Sequence, residues 1–229
     1  MNIAIIPASS TSKRLPDKNI LPVNGKPMIS YPIEAAQKSG LFEQVIVSSK
    51  DDEISAIAKD LGCEVFPSPM SLRREKSTVK LVCQSVLEVL QTRGDLPQYF
   101  CVIFATAIFL ESKDFIKSHK MLEQTDFVMG VSKFTQEPEH AMVERNGYLR
   151  PLRPEALKYK SSYFPPKFFS NGTFAWCKTV PFLAVNDFYG PRLLGYEMPV
   201  SRGWDVNTPD DYKIANLLMV TSNSNGQSA

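Results

Sequence analysis

Residues 2–20 read NIAIIPASSTSKRLPDKNI, and this opening decides the fold class. Its first part, Asn2 to Pro7, is apolar at consecutive positions rather than alternating ones. That is the pattern of a short strand buried on both faces, and Pro7 ends it. A long polar loop of small hydroxyl residues follows, carrying the cations Lys13, Arg14 and Lys18.

The same alternation continues outward. Pro27 to Lys38 has helical spacing of Met28, Ile29, Ile33, Ala35 and Ala36, with Gly40 as its stop. Gln44 to Val47 is a second apolar strand, and DDEISAIAKDLG (51–62) opens a helix with acids at the positive end of its dipole. Cys63 to Phe66 reads as a third strand, Ser77 to Gln91 as an amphipathic helix ending near Gly94, and FCVIF (100–104) as a fourth buried strand. Strands of this kind separated by helices predict an α/β fold: a mostly parallel, Rossmann-like sheet with helices on both faces. Residues 127–178, rich in proline and with Asn146-Gly147 as a hairpin turn, read as an antiparallel excursion from that sheet. Thr208 and Pro209 start a final helix over 208–220, and TSNSNGQSA (221–229) reads as a disordered tail.

Composition narrows the function classes. The 229 residues carry 26 Lys plus Arg against 24 Asp plus Glu, a net charge of +2 that is too small to suggest a general nucleic-acid or membrane-surface binder. No apolar run is long enough to cross a bilayer, and the start lacks the layout of a signal peptide. Four cysteines without a CxxC pair predict structural thiols in a reducing cytoplasm. Two histidines, His119 and His140, exclude a His-rich metal site.

In an open α/β sheet ligands bind beyond the carboxyl ends of the strands, where the 8–20 loop falls. Backbone N–H groups, hydroxyls and three cations in one loop suit a polyphosphate, although neither GxxxxGK[ST] nor GxGxxG is present and a solvated loop is the plain alternative.

The residues also carry a resemblance. PASSTSKRLPDKNI (7–20) followed by GKPMISYPIEAA (25–36) resembles the PARGGSKR-x-P-x-KNI and GKPMI-x-YSIEAA signature of the acylneuraminate (sialic, pseudaminic and legionaminic acid) cytidylyltransferases. VIVSSKDDEISAIAKDLG (45–62), FATAIFL (104–110), SNGTFAWCK (170–178), FYGPRLLGYEMP (188–199) and RGWDVNTPDDYKIA (202–215) continue it in order. The last three lean toward the pseudaminic-acid branch.

The resemblance implies a nucleotide-diphospho-sugar transferase fold and transfer of CMP from CTP to a nine-carbon 2-keto acid sugar, with Mg²⁺ bound with CTP. It implies that Ser12, Lys13 and Lys18 hold the triphosphate, that Ala8, Ser9 and Asn19 lie at the nucleoside, and that Thr106 lines the same cleft. It also implies that Asp205 and Asn207 form the metal pair, that Lys18 and Asp205 are catalytic, and that Asn171, Gly172 and Thr173 face the sugar. The product would serve surface glycan or flagellin glycosylation in the cytoplasm, by a single domain over 1–220 whose 130–170 insertion forms a homodimer, with no nucleic acid or membrane involved.

Departures from the family pattern stand beside the matches. Ser9-Ser10-Thr11 replace Arg-Gly-Gly, Asn207 replaces an acid, Ile108 a proline and Lys50 an acid, and the stretch Leu72 to Thr78 is basic where the family is acidic. These changes fall on the chemistry and leave open a second reading: a weakened or inactive homologue with a binding or regulatory role. Plain readings also stand for single residues. Asp205 caps or turns before a helix, Asp210 and Asp211 are first-turn helix acids, Trp176 and Trp204 pack, His140 is a surface residue, and Arg73 and Arg74 are solvated.

Overall fold

The computed structural model describes residues 1–68 and 78–225, with side chains through 220. Of the basic stretch 72–78 it describes Thr78 alone, and Arg73 and Arg74 lie outside the described residues.

The elements run β1 (Asn2–Pro7), β2 (Pro22–Val23), β3 (Lys26–Pro27), α1 (Ser30–Ser39), β4 (Gln44–Ser48), α2 (Asp52–Asp60), β5 (Glu64–Phe66), α3 (Val79–Arg93) and β6 (Tyr99–Ile103). They continue with α4 (Ser112–Lys120), β7 (Phe127–Lys133), β8 (Met142–Arg145), β9 (Tyr148–Pro151), β10 (Phe168–Lys178), α5 (Thr179–Val185), β11 (Leu194–Glu197) and α6 (Pro209–Asn225). One sheet has the order β11-β7-β10-β6-β1-β4-β5. β10 runs antiparallel to both of its neighbours, and every other pair in this sheet is parallel. The predicted mostly parallel α/β sheet is the one observed.

Both faces of the sheet are covered, which is why the strands read as unbroken apolar runs. Ala4 and Ile6 of β1 point to one face, with Ile33 of α1, Ile54 of α2 and Phe115 of α4. Ile3 and Ile5 point to the other, with Val86 and Leu87 of α3 and Phe182 of α5. Trp176 is fully buried, stacks on Phe42 at 5.0 Å, and donates its indole N–H to Ser118 Oγ at 3.1 Å. It packs as the sequence suggests. The four cysteines are buried and free. No helix among the described residues is long and apolar enough to cross a membrane.

Several boundaries move, each for a local reason. α1 starts at Ser30 rather than Pro27, because Asn24 (φ 48°) and Gly25 (φ 77°) make a tight turn that pairs Val23 with Lys26. Pro32 then falls in the first turn of α1, where a helix has no use for its amide hydrogen. α6 continues to Asn225, five residues into the expected tail, while 226–229 lie outside the described residues. The largest correction concerns 127–178. β7 and β10 belong to the central sheet, so the excursion narrows to the segment between them, built on the β8–β9 hairpin. Asn146 (φ 55°) and Gly147 (φ 80°) form its turn, as the sequence predicts.

His119 sits edge-on to Trp176 and Tyr99 with Nε2 buried and, among the described residues, without a hydrogen-bond partner. Burial lowers its pKa, partly opposed by Glu123. The unfolded chain therefore takes up this proton more readily, so stability declines as pH falls below the ordinary histidine value of about 6.5. His119→Phe should flatten that decline, which denaturant midpoints at pH values either side of about 6.5 will show.

Candidate active site

The connections from β1 to β4 and onward to β6 leave a crevice at the carboxyl ends of these strands, where the sheet order reverses. A cleft of ≈ 770 Å³ opens there, within the range of ligand pockets. Its walls are the loop from Pro7 to Asn19, the turn at Ser48 to Asp51, the end of β6 through Thr106, and Asp205 with Asn207.

The loop is anchored from beneath by Leu15, buried with Val23, Met28, Ile108, Val206 and Ala215 under α6. Its hydroxyls shape it locally. Ser9 Oγ lies 2.8 Å from Thr11 Oγ1 and accepts from the Thr11 amide, and Ser12 Oγ accepts from the Leu15 amide at 3.3 Å. Asn19 donates its side-chain amide to Ser9 O at 3.0 Å, so it braces the loop. Ala8, which lines the cleft, gives its N–H to Ser48 O at 3.0 Å and so extends the sheet pairing. The Ser10 hydroxyl hydrogen-bonds to Asp51, which together with the amides of Ile54 and Glu53 holds that carboxyl below its ordinary pKa.

The opposite wall joins this loop through a compact polar cluster. Thr106 Oγ1 donates to Asp205 Oδ1 at 2.8 Å, and Asn207 Nδ2 donates to Asp205 Oδ2 at 2.6 Å. Asn207 Oδ1 accepts from Arg14 Nη2 at 2.8 Å and from Lys18 Nζ at 3.1 Å. Burial lowers the Lys18 pKa, opposed by Asp205 and Asp211 and reinforced by Arg14. Asp211 accepts from the amides of Asn207 and Thr208 while donating its own amide to Thr208 Oγ1, a capping box that starts α6 and fixes Asn207. Asp210 pairs with Lys213 on the surface.

Loop residues Ala8, Ser9, Ser12, Lys13, Lys18 and Asn19 are thus brought to one cleft with Thr106, Asp205 and Asn207. Asn171 and Thr173 are not. Expected to face a sugar, they are 3% and 1% exposed and bonded to each other at 2.6 Å, with Asn171 also donating to Ser132 Oγ. β10 directs them inward, beneath the cleft. Gly172 between them has φ 68°, and a Cβ there would lie 2.9 Å from Asp205 Oδ2, so its lack of a side chain lets the carboxylate settle.

Sequence reading missed the anchor of the Asp205 segment. Arg202 grips fully buried Asp114 through two hydrogen bonds of 2.9 Å, and Tyr196 and the Glu111 amide donate to the same carboxylate. The E-x-x-D spacing of Glu111 and Asp114 at the start of α4 was a legible cap signal, but Arg202 carried none.

The expected metal pair does not fit a protein-held divalent ion. Among the described residues no three His, Cys, Asp or Glu side chains gather to hold one. Asp205 is one carboxylate, and the Asn207 oxygen is already shared by two cations.

Comparison with known proteins follows the same lines. The chain is 29% identical over 222 residues to a pseudaminic acid cytidylyltransferase of Campylobacter jejuni, covering 95% of each. It is 27% identical to an N-acylneuraminate cytidylyltransferase of Escherichia coli over 96% of this chain, and spans about half (52%) of that relative. In fold it resembles a CMP:2-keto-3-deoxy-manno-octonic acid synthetase solved with CTP (TM-score 0.69, 17% identity, 96% and 99% of the two chains). A 4-diphosphocytidyl-2C-methyl-D-erythritol synthase gives a TM-score of 0.71 at 13% identity over 95% and 97%. The family model described as Cytidylyltransferase matches residues 3–190, from β1 to beyond α5, and on that match the chain belongs to the cytidylyltransferase family.

Proposed function

We propose that the protein transfers CMP from CTP to a nine-carbon 2-keto acid sugar of the pseudaminic, sialic or legionaminic type, releasing pyrophosphate for surface glycan or flagellin glycosylation. The observation that carries this reading is one cleft holding Arg14, Lys18, Thr106 and Asp205 at the switch point of a cytidylyltransferase fold. The anomeric hydroxyl oxygen forms a bond to the α-phosphorus, the bond from that phosphorus to the bridging oxygen breaks, and the hydroxyl proton leaves to solvent or a carboxylate. Ser12, Lys13 and Lys18 hold the phosphates, and charge from Lys18 stabilises the departing pyrophosphate. Ala8, Ser9 and Asn19 shape the nucleoside end. Asp205, oriented by Thr106, faces the reacting groups. Asn171, Gly172 and Thr173 support the sugar side from beneath. Magnesium enters as the counter-ion that CTP brings.

No observation favours the inactive homologue, since Lys18, Thr106 and Asp205 remain joined through one hydrogen-bonded cluster. Pyrophosphate release from CTP with pseudaminic, sialic and legionaminic acids is the test, and turnover with at least one is the expected result. A thermal shift with CTP but no turnover with any of them would establish the binding role instead.

The same reading places one nucleotidyltransferase domain over 1–220 and a cytoplasmic homodimer formed through the 130–170 region. The β8–β9 hairpin supports the dimer: Met142, Tyr148, Leu149 and Leu152 are exposed, Tyr148 to 73%. Light scattering should read two chains, and Leu149→Asp should shift it to one.

A further inference from the structure

Asn207 does something that no acid at its position could do. An amide presents an acceptor and a donor on one short side chain, whereas a carboxylate only accepts. Here the acceptor takes Arg14 and Lys18, and the donor holds Asp205. Two cations, one neutral amide and one carboxylate therefore form a continuous bridge on the cleft wall, with the Asp211 carboxylate bonded to the Asn207 backbone behind it. A divalent ion brought to Asp205 would meet one anionic ligand and two cations already at the neighbouring oxygen.

We infer that this bridge takes the place of a divalent ion held by the protein: Arg14 and Lys18 supply the positive charge that faces a nucleoside triphosphate, and the chain itself retains no divalent ion at Asp205. The identity of the polyphosphate rests on the cytidylyl-transfer reading; the character of the bridge does not. The arrangement is suited to exchange. A phosphate oxygen is a stronger acceptor for Arg14 and Lys18 than the Asn207 carbonyl, because both partners are then charged. On triphosphate entry the two cations turn from the amide to the phosphates, while Thr106 and the Asn207 amide N–H keep Asp205 oriented. Arg14 thereby supplies a fork donor to a loop whose Ser9-Ser10-Thr11 stretch offers none.

Manganese alone, followed by electron paramagnetic resonance on the nucleotide-free protein, tests the bridge directly. Wild type should bind it no better than an Asp205→Asn control. Asn207→Asp places two carboxylates side by side and should bind it at least about tenfold more tightly than wild type. Calorimetry with CTP in excess chelator forms a second arm: wild type should keep its affinity to within about threefold of the value with magnesium, and Arg14→Ala should lose about tenfold or more in chelator. Manganese bound by wild type and abolished in Asp205→Asn would overturn the inference, as would CTP binding by wild type that vanishes on chelation. A chain that binds no CTP with or without magnesium overturns the cytidylyl-transfer reading instead, and the nucleotide-free manganese measurement on wild type still decides the bridge.

Discussion

Arg202→Ala is expected to destabilise the protein by about 3–5 kcal/mol, because it strands the carboxylate of Asp114 without its partner in the interior. Burial by itself would raise the Asp114 pKa. The Arg202 guanidinium, the Glu111 amide and the Tyr196 hydroxyl outweigh it and hold that carboxyl below the usual range. For a chain of this size the loss corresponds to about 6–20 °C in melting temperature. Arg202→Lys keeps the charge without the fork and should fall between wild type and alanine.

A contrast guards the interpretation. Lys213 and Asp210 form an ion pair at 3.0 Å with both side chains largely exposed, and Lys213→Ala should change stability by no more than about 1 kcal/mol. The pH dependence follows from the sign of the Asp114 shift. A depressed carboxyl contributes stability above the unfolded value of about 3.9, and that contribution is lost as pH falls through the folded value. Arg202→Ala should therefore narrow its deficit relative to wild type in acid. Arg202 also stands three residues before Asp205, so CTP affinity should fall alongside stability. Denaturant melts at neutral and acid pH, with calorimetry on the folded variant, read all three outcomes.

Lys18→Met should move binding and stability in opposite directions. If Lys18 donates to a phosphate, removing it weakens CTP binding by roughly 1.5–3 kcal/mol, the scale of a hydrogen bond to a charged group. That is about a 10- to 150-fold rise in Kd. Stability should be unchanged or raised. Burial lowers the folded-state pKa of Lys18, so below the unfolded lysine value of about 10.4 the unfolded chain holds this proton more firmly and the charge costs stability. An apolar side chain of similar length removes that cost. A lowered melting temperature with unchanged CTP affinity would identify Lys18 as a structural tie between the loop and Asn207, and nothing more.

The chain differs in how far its parts could be read in advance. β1, β4 and β6 are legible because burial on both faces leaves no polar alternation, and α2 and α3 because Asp51 and Thr78 cap them with side-chain acceptors. α4 escapes the same reading. SKDFIKSHK buries Asp114, Phe115 and Ser118, and one apolar residue among three gives no stripe. β10 reads as part of an excursion because residues 127–178 are rich in proline and carry the Asn146-Gly147 turn, whereas in the structure it lies in the central sheet with a register shift between Ser170 and Ala175, where the chain turns through Gly172. Asn171 and Thr173 flank that turn, which is why a polar segment expected at the sugar lies buried beneath Asp205.

The sequence by itself determined the fold class, the cation-bearing loop after the first strand, the capped start of the last helix, and which residues belong near one another through the family resemblance. Those features are written in neighbours a few positions apart, through periodicity, caps and turns. Tertiary structure alone decided what the charged groups hold. Thr106 reaches Asp205 across 99 positions, Arg202 reaches Asp114 across 88, and Arg14 reaches Asn207 across 193. No local pattern encodes such pairs, because each partner has its own plain role as a loop charge, a cap or a turn residue. They meet because burial of the sheet's two faces and the cluster around Leu15 bring distant backbone together, and in that setting a polar group left without a partner would cost more than the one it finds.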